Sequence, residues 1–544
     1  MSRRRKRKPA RASIKPRGAA PPGPAAGQPR ACGAPARHLE WVAAVALILA
    51  VTGVLFTKTY DCELMGWDSY PIIIASRVQS LTDFAGTFTE KLMDGRYAGD
   101  FYRPLLNLTF ALDYALWGLT PFGYQLTSTL LFAGCAAALF FFVRRAVGAD
   151  AVVAPLVALL FFLLHATHYE VIPVPARRPE TLCCLFMALA LAWQLSPRSL
   201  ASRRPPIVPA VFTLLAIASK ETALILPALS FLVVLLYSPR SRFVQRFWHA
   251  VIAVVPHAVA LAVMIVARLA VLGGLGGHEA TRMSEGFSRL PAYGANVIQW
   301  LLFPQPVMQK AFAGKLLLIA LAAGLVLVGV TTLLSRPRGA PDRPAQRHLG
   351  RTTLLAVVWL VLLWLTYAVG GKVEPWYLLL AVAGLAMVFG AFADGLVAAT
   401  RRGPPPVRVV AAATLVLSAT LVVWQGRYSP LVCKYDGWDR AGAASRQFLA
   451  QLEEAIARAP DGSIVRAPPI PMWVQPQTDR PHIRGGAVLK GRSVQAWAEL
   501  MFPERRVHVA RSRADQPAPD ELLVVLTRPL EGFQPMLSAR PVGN

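Results

Sequence analysis

Long apolar segments alternate with short polar ones over most of the chain, up to about residue 425. A helix that crosses a membrane needs about 20 mostly apolar residues. Two candidate segments, 206–219 and 222–237, are short and flank Lys220–Glu221, so a single broken helix over 206–237 is an alternative. We predict eleven spans, at residues 41–57, 123–143, 151–169, 179–195, 206–219, 222–237, 248–273, 311–334, 353–369, 376–398 and 406–424.

The positions of basic residues support this count. Arginines cluster in every second loop, beginning with Arg144 and Arg145, whereas the first loop of the other side is rich in acids. Because cytoplasmic loops carry an excess of Lys and Arg, the N-terminus is predicted to be cytoplasmic. One span over 206–237 would place the two following basic loops outside, so the two segments are kept separate. Residues 104–118 are predicted as a helix at the outer membrane surface, inside a long outer loop over 58–122.

Composition fits this organisation. The chain has 544 residues, 55% of them apolar, 16% charged, and a net charge of +27; soluble domains average about 45–50% apolar and about 25% charged. Six cysteines in this length are too few for a disulfide scaffold, although Cys62 and Cys433 are both predicted to be external and are candidates for pairing. The fold class is therefore an all-α polytopic membrane protein with a small C-terminal extracytoplasmic α/β domain.

Three regions follow from this pattern. Residues 1–40 form a basic tail that is predicted to be disordered and cytoplasmic; a nucleic-acid-binding arm is the alternative, and we expect no nucleic-acid partner. Residues 41–425 form the multi-span membrane domain. Residues 426–544 form the outer α/β domain, with a helical stripe at Phe448, Leu452 and Ile456 and short strands in GSIVRAP and ELLVVLTRP.

Ionisable residues at membrane depth are costly and are candidates for function. They cluster at the predicted outer ends of the spans. A carboxylate can act as a general base, and Arg or Lys can hold a phosphate, so together they suit transfer of a sugar from a lipid phosphate. The candidates are Asp68, Arg103, His165, His168, Glu170, Arg177, Arg178, Glu180, Lys220, Glu221, Arg268, Lys372 and Glu374.

Simpler explanations exist for most of these residues. Arg177 and Arg178 could pair with Glu180, and Lys220 with Glu221 in a local ion pair. His165 and His168 could be interfacial residues with satisfied hydrogen bonds. Asp68 has the weakest such explanation, because it lies in the apolar sequence WDSYPIII with no cation beside it.

Three segments resemble a known family. FYRPLLNLTFALDYALWGLTPFGYQLTSTLLF, LLFFLLHATHYEVIPVPARRPETLCCLFMALAL and SKETALILPAL are similar to segments of the membrane half of protein O-mannosyltransferases with tetratricopeptide repeats, and of their bacterial relatives. The similarity covers about residues 60–230. It implies the fold of the GT-C glycosyltransferase superfamily, a polyprenyl-phosphate sugar donor, and a first-loop acid that acts as base or metal ligand, which maps to Asp68. The family's acidic pair is reduced here to Asp68 followed by Ser69, and the repeats are missing, so sugar and acceptor stay open.

We therefore predict an inverting, membrane-embedded glycosyltransferase of the inner or plasma membrane that uses a lipid-linked sugar donor. Asp68 is the expected catalytic base. The acceptor is a glycan, a lipid or a protein, and membrane lipid is the other expected partner. A transporter or flippase of lipid-linked saccharide and a non-catalytic membrane scaffold are the alternatives.

Two further groups of residues receive expected roles. A divalent ion held by Asp68, His168 and Glu170 is left open as a cofactor. The residues expected to bind the donor phosphate are Arg103, Arg178, Lys220, Arg268 and Lys372, and those expected to position the acceptor or a metal are His165, His168, Glu170 and Glu221.

Overall fold

The fold is known from a computed structural model, and every structural statement below concerns the residues that it describes. The basic tail up to residue 33, Lys372 and Cys433 lie outside them, so the state of the tail, the role of Lys372 and the pairing of Cys62 with Cys433 stay predictions. The described residues are 34–95, 100–148, 151–202, 204–274, 276, 287–303, 314–320, 322–324, 326, 344–370, 373–427, 436–460, 464–467, 488–509 and 521–523.

Long apolar helices dominate the first part of the chain, as the sequence predicts. In the described ranges, six helical segments are long and apolar enough to cross a membrane, judged by length and composition. The chain is an integral membrane protein. The six segments are His38–Thr59, Pro121–Val147, Phe243–Leu272, His348–Val369, Pro375–Arg401 and Pro405–Arg427.

Four other predicted spans are shorter helices. The break at Lys220 is confirmed: its backbone is extended (φ −161°, ψ 144°) between two helices, so 206–237 is not one continuous helix. A 3₁₀ turn, Glu221–Ile225, begins the second of the two. Residues 311–334 are only partly described, so the count of eleven spans stays a prediction. The four shorter helices are Val153–Leu164, Arg178–Gln194, Ile207–Ser219 and Leu226–Tyr237.

The first predicted outer loop is largely helical. It contains Ser69–Ala75, Leu81–Thr89 and Pro104–Trp117, the last of which confirms the helix predicted over 104–118. Pro104 stands in the first turn, where its missing N–H costs no hydrogen bond. The helix Leu81–Thr89 begins with a capping box, in which Ser80 and Asp83 each accept the other's backbone N–H.

The C-terminal segment is an α/β unit. Helix Asp436–Arg458 is followed by strand Ile464–Ala467, helix Gly491–Met501 and strands Arg506–Val509 and Glu521–Leu523. The three strands are parallel, with Ile464–Ala467 in the centre. The two strands and the buried helical stripe that the sequence predicts are present. Strand Arg506–Val509 was not predicted, because its sequence RVHV contains two polar residues and no apolar run like those of the other two strands.

Two large hydrophobic cores and one small cluster, at Val234, Ala250 and Ala253, hold the described chain together. One is formed by the membrane helices, with Phe132, Phe162 and Trp359 fully buried in it. The other joins the first outer loop to the C-terminal segment, since Met65 and Tyr70 share it with Trp438 and Trp497. The C-terminal segment is thus folded onto the first outer loop, and this contact brings Asp68 to the surface of that segment.

Candidate active site

Glu221 connects two arginines from distant parts of the chain. Arg103, which precedes helix Pro104–Trp117, places Nε 3.3 Å from Oε1 and Nη2 2.9 Å from Oε2 of Glu221. Arg268, near the end of helix Phe243–Leu272, places Nη1 3.1 Å from Oε1. The three side chains are mostly buried but retain some exposure: 17% for Arg103, 15% for Arg268 and 23% for Glu221. Two guanidinium groups therefore share one carboxylate at a place that a ligand can reach.

Arg103 has N–H donors that Glu221 does not use. Its Nε and Nη2 are used by Glu221, and among the described residues no hydrogen-bond acceptor is paired with Nη1. The guanidinium lies 4.6 Å from the centre of the Phe101 ring. Since an arginine carries five N–H donors in a fixed fork, a phosphate oxygen can be bound without breaking the pair with Glu221.

Lys220 pairs with the carboxylate of Glu180 and not with that of its neighbour Glu221. Its Nζ donates to Oε1 of Glu180, in the first turn of helix Arg178–Gln194, and lies 4.1 Å from the centre of the Tyr377 ring. Glu180 is 3% exposed, and no described residue hydrogen-bonds to its Oε2. Neither simple pairing expected from the sequence occurs: Lys220 does not pair with Glu221, and Glu180 is taken by Lys220 rather than by Arg177 or Arg178.

Arg178 is not brought to these residues. It is 2% exposed and donates to Asp113, to the Ser128 hydroxyl at 2.9 Å and to the Tyr124 carbonyl at 2.7 Å. These partners lie on helices Pro104–Trp117 and Pro121–Val147, so Arg178 joins its own helix to both. Its charge is thus paired with a buried carboxylate inside the fold, whereas its role as a phosphate ligand stays a prediction.

His165 and His168 lie in an apolar interior. His165 Nε2 is 2.9 Å from the Leu301 carbonyl, and His168 Nε2 is paired with the Phe162 carbonyl. The His168 ring lies 4.6 Å from the centre of Phe132. The side chain of Glu170 lies outside the described residues. Both rings are thus buried rather than interfacial, and within the described chain Nδ1 of His168 has no hydrogen-bond partner.

The proposed set of metal ligands is not assembled in the described part of the chain. That part contains no group of three or more His, Cys, Asp or Glu residues that could hold a metal ion. Asp68 is paired with Arg492 and His168 with a backbone carbonyl. We therefore derive no step through a metal.

Asp68, in the first outer loop, stands at the N-cap position of helix Ser69–Ala75, and its side chain makes no capping hydrogen bond to the described helix. Its side chain is 36% exposed, and Oδ1 accepts a hydrogen bond from Nη2 of Arg492. Within the described chain no donor reaches Oδ2. The expectation that Asp68 has no cation beside it is wrong, because the partner comes from 424 residues further along the sequence.

Neighbouring groups fix this loop. Burial first, and then the Glu63 carboxylate, raise the pKa of the Tyr70 phenol well above its usual value. The phenol therefore stays protonated and donates to Oε1 of Glu63 at 3.2 Å. Gly66 has a positive φ of 88°, and a Cβ there would lie 2.7 Å from Val174 Cγ1. The residue two before Asp68 is thus packed against the chain that leads into helix Arg178–Gln194.

The segment that leads into helix Arg178–Gln194 lies between the Asp68 loop and Lys220. Val174 contacts the Asp68 loop at Gly66, whereas Glu180 binds Lys220. Between them, the Arg177 guanidinium lies 4.0 Å from the ring centre of Trp376 and 5.3 Å from that of Trp438. One short segment, residues 174–180, therefore connects the Asp68 loop, the C-terminal segment and the Lys220 break.

No protein-family model matches this chain, and no curated protein sequence matches it. Among solved structures, ArnT from Cupriavidus metallidurans bound to undecaprenyl phosphate is 17% identical, with a TM-score of 0.42 over 86% of this chain and 89% of that one. Arabinofuranosyltransferase AftD from Mycobacteria is 16% identical, with a TM-score of 0.42 over 87% of this chain and 32% of AftD.

The oligosaccharyltransferase of Archaeoglobus fulgidus in the apo form is 11% identical, with a TM-score of 0.40 over 86% of this chain and 64% of that one. At these identities only the course of the helices is compared, so no residue role is transferred from them.

Proposed function

We propose that the protein is an inverting glycosyltransferase that moves a sugar from a polyprenyl-phosphate carrier to an acceptor on the outer face of the membrane. The observation that carries this proposal is the binding of Arg103 and Arg268 to the single carboxylate of Glu221, in a partly exposed position beside an otherwise apolar bundle. Guanidinium groups bind phosphate oxygens at two points and retain their charge at any physiological pH.

The donor phosphate binds to Arg103 and Arg268, with Lys220 adjacent in sequence to the carboxylate that orients them. These cations stabilise the negative charge that grows on the phosphate as the sugar leaves. Lys372, two residues before Glu374, is proposed as a further cation of this group. Arg178 is left out because Asp113 neutralises it inside the fold.

Asp68 is proposed as the base. Its Oδ2 accepts the proton from the acceptor hydroxyl, and the hydroxyl oxygen forms a bond to the anomeric carbon on the face opposite the phosphate. The bond from that carbon to the phosphate oxygen breaks, and its electron pair leaves with the lipid phosphate. The configuration of the anomeric carbon is inverted, and the products are the glycosylated acceptor and the free polyprenyl phosphate.

The proposed topology has eleven spans, a cytoplasmic N-terminus and an extracytoplasmic C-terminal segment in the inner or plasma membrane. The shared core of the first outer loop and the C-terminal segment supports their location on one side. Helix Ile207–Ser219 has 13 residues, or about 20 Å at 1.5 Å per residue, which is shorter than the hydrocarbon core of about 30 Å. Lys220 and Glu221 would then lie below the outer surface, close to a membrane-bound phosphate.

The test is a transfer assay with the purified protein in proteoliposomes. Polyprenyl phosphate carrying a radiolabelled sugar is supplied together with candidate glycan, lipid and peptide acceptors. A glycosyltransferase moves the label to an acceptor and leaves free lipid phosphate. Movement of the intact labelled lipid between leaflets indicates a flippase, and neither change indicates a scaffold; both results contradict the proposal.

A further inference from the structure

Three nearby residues of the C-terminal segment, Lys490, Arg492 and Ser493, are fixed to Trp67 and Asp68. Lys490 Nζ lies 3.8 Å from the centre of the Trp67 ring, and the Ser493 hydroxyl donates to the Trp67 carbonyl at 2.7 Å. Arg492 donates from Nε to the same carbonyl at 3.3 Å and from Nη2 to Oδ1 of Asp68. The contact thus involves both the backbone and the carboxylate of the loop.

The position of Arg492 is fixed by the packing of the helix that carries it. It lies in the first turn of helix Gly491–Met501, whose Val494, Ala496 and Trp497 are buried. These side chains belong to the core that also contains Tyr70 and Ile73, from the helix that follows Asp68. The guanidinium and the carboxylate are therefore carried by two elements packed on each other, and their relative position is set by that packing.

The two oxygens of Asp68 differ in their surroundings. Oδ1 is occupied by Arg492, whereas no donor of the described residues reaches Oδ2, and the side chain is 36% exposed. A carboxylate anchored through one oxygen cannot rotate freely, so the other oxygen faces a fixed direction. A base needs this property, because a displacement of about 1 Å can cost about 100-fold in rate.

We propose that Arg492 of the C-terminal segment is a positioning residue for the reaction: it fixes Asp68 through Oδ1 so that Oδ2 faces the acceptor hydroxyl. This inference rests on the proposed function, since it concerns the same carboxylate. It gives the C-terminal segment a part in the active site. The membrane helices alone would present an Asp68 that is free to turn.

A matched control exists in the same interface. Arg446, from helix Asp436–Arg458, donates to the Asp61 carbonyl at 2.9 Å and lies 3.8 Å from Glu63. It also joins the C-terminal segment to the first outer loop, but it does not touch Asp68. Loss of Arg446 removes a contact between the same two regions and leaves the carboxylate of Asp68 anchored.

The experiment measures transfer kinetics for the full chain in proteoliposomes, with radiolabelled polyprenyl-phosphate sugar and the acceptor found in the assay above. Arg492→Ala is expected to lower kcat about 10- to 100-fold, with the KM for the donor unchanged. Arg492→Lys should recover part of this loss, because an ammonium group keeps the charge without the second donor. Arg446→Ala should stay within about twofold of the wild type, because its pairs are exposed.

A second comparison separates positioning from stability. In the Asp68→Asn background, Arg492→Ala should cause no further loss of the residual rate, because the carboxylate on which it acts is gone. If Arg492→Ala lowers the rate by the same factor in the Asp68→Asn background as in the wild type, the inference is overturned. Equal activity of Arg492→Ala and Arg446→Ala also overturns it. If Arg492→Ala is misfolded, as judged by size-exclusion chromatography in detergent, the kcat of Arg492→Lys is measured in its place. A wild-type kcat for Arg492→Lys then overturns the inference.

Failure of the two proposals can be told apart. If the wild-type protein transfers no sugar while the labelled donor is intact and incorporated, the proposed function falls and this inference falls with it. If the wild type is active and Arg492→Ala behaves as Arg446→Ala does, only the inference about Arg492 is overturned.

Discussion

Arg103 and Glu221 form a two-point ion pair across 118 residues of chain, with Nε 3.3 Å from Oε1 and Nη2 2.9 Å from Oε2. This geometry fixes the plane of the guanidinium and leaves Nη1 directed elsewhere. Arg268 approaches the same carboxylate from another helix. Glu221 therefore orients two cations, and this explains why a carboxylate belongs in a site for an anionic donor.

Arg103→Gln and Arg268→Gln should each raise the KM for the lipid-linked donor about tenfold or more. A hydrogen bond to a charged group contributes about 1.5–3 kcal/mol, and each glutamine removes one such interaction with the phosphate. Initial rates at varied donor concentration measure the effect. Arg446→Gln serves as the control; a KM change as large in that variant would show that the effect is not local to the phosphate.

Glu221→Gln should have the opposite effect on phosphate binding. Removal of the negative charge leaves Arg103 and Arg268 without their shared carboxylate, so free polyprenyl phosphate should bind more tightly, by about tenfold for 1.4 kcal/mol, and product release should slow. Inhibition of transfer by added polyprenyl phosphate measures this. Weaker inhibition than in the wild type would mean that Glu221 contributes to phosphate binding through its shape and not through its charge.

Polyprenyl phosphate should stabilise the folded protein. A ligand that binds only the native state at 100 times its dissociation constant adds about 2.7 kcal/mol. The thermal midpoint of the wild type in detergent should therefore rise with the concentration of the lipid phosphate. The double variant Arg103→Gln/Arg268→Gln should show little rise, and an alcohol of the same prenyl chain should give little rise with either protein.

Arg178 should matter for stability and not for donor affinity. Breaking a buried ion pair by removal of one partner costs about 3–5 kcal/mol, whereas apolar replacement of both is often neutral. Arg178→Met should thus lower the thermal midpoint, and Asp113→Leu/Arg178→Met should recover most of the loss. A normal midpoint with an increased donor KM for Arg178→Met would return Arg178 to the phosphate site.

The sequence predicts the helices well, because apolar runs of about 20 residues leave few alternatives. It also places the break at Lys220–Glu221, where two charges interrupt an apolar run. The pairing of these charges was not predictable: adjacent residues appeared to be partners, but the extended backbone at Lys220 sends the two side chains to different carboxyl and guanidinium groups.

Two ion pairs, Asp113 with Arg178 inside the fold and Asp68 with Arg492 at the site, could not be found in the sequence. Asp113 stands in an apolar helix and gives no local sign that it pairs with Arg178, 65 residues later. Arg492 is one of many arginines in the C-terminal segment, and nothing near it in the chain indicates Asp68. Both pairs form because particular elements pack together. The residue pattern within one segment does not indicate which elements those are.

The central claim concerns the role of Asp68 as the base in sugar transfer. The most direct measurement compares Asp68→Asn with Asp61→Asn, a neighbouring exposed acid of the same loop, in the radiolabelled transfer assay at equal amounts of membrane-inserted protein. We expect Asp68→Asn to lose at least about 100-fold in rate, since a general base contributes about 10²–10⁴-fold, while Asp61→Asn keeps the wild-type rate. Wild-type transfer by Asp68→Asn would contradict the proposed mechanism.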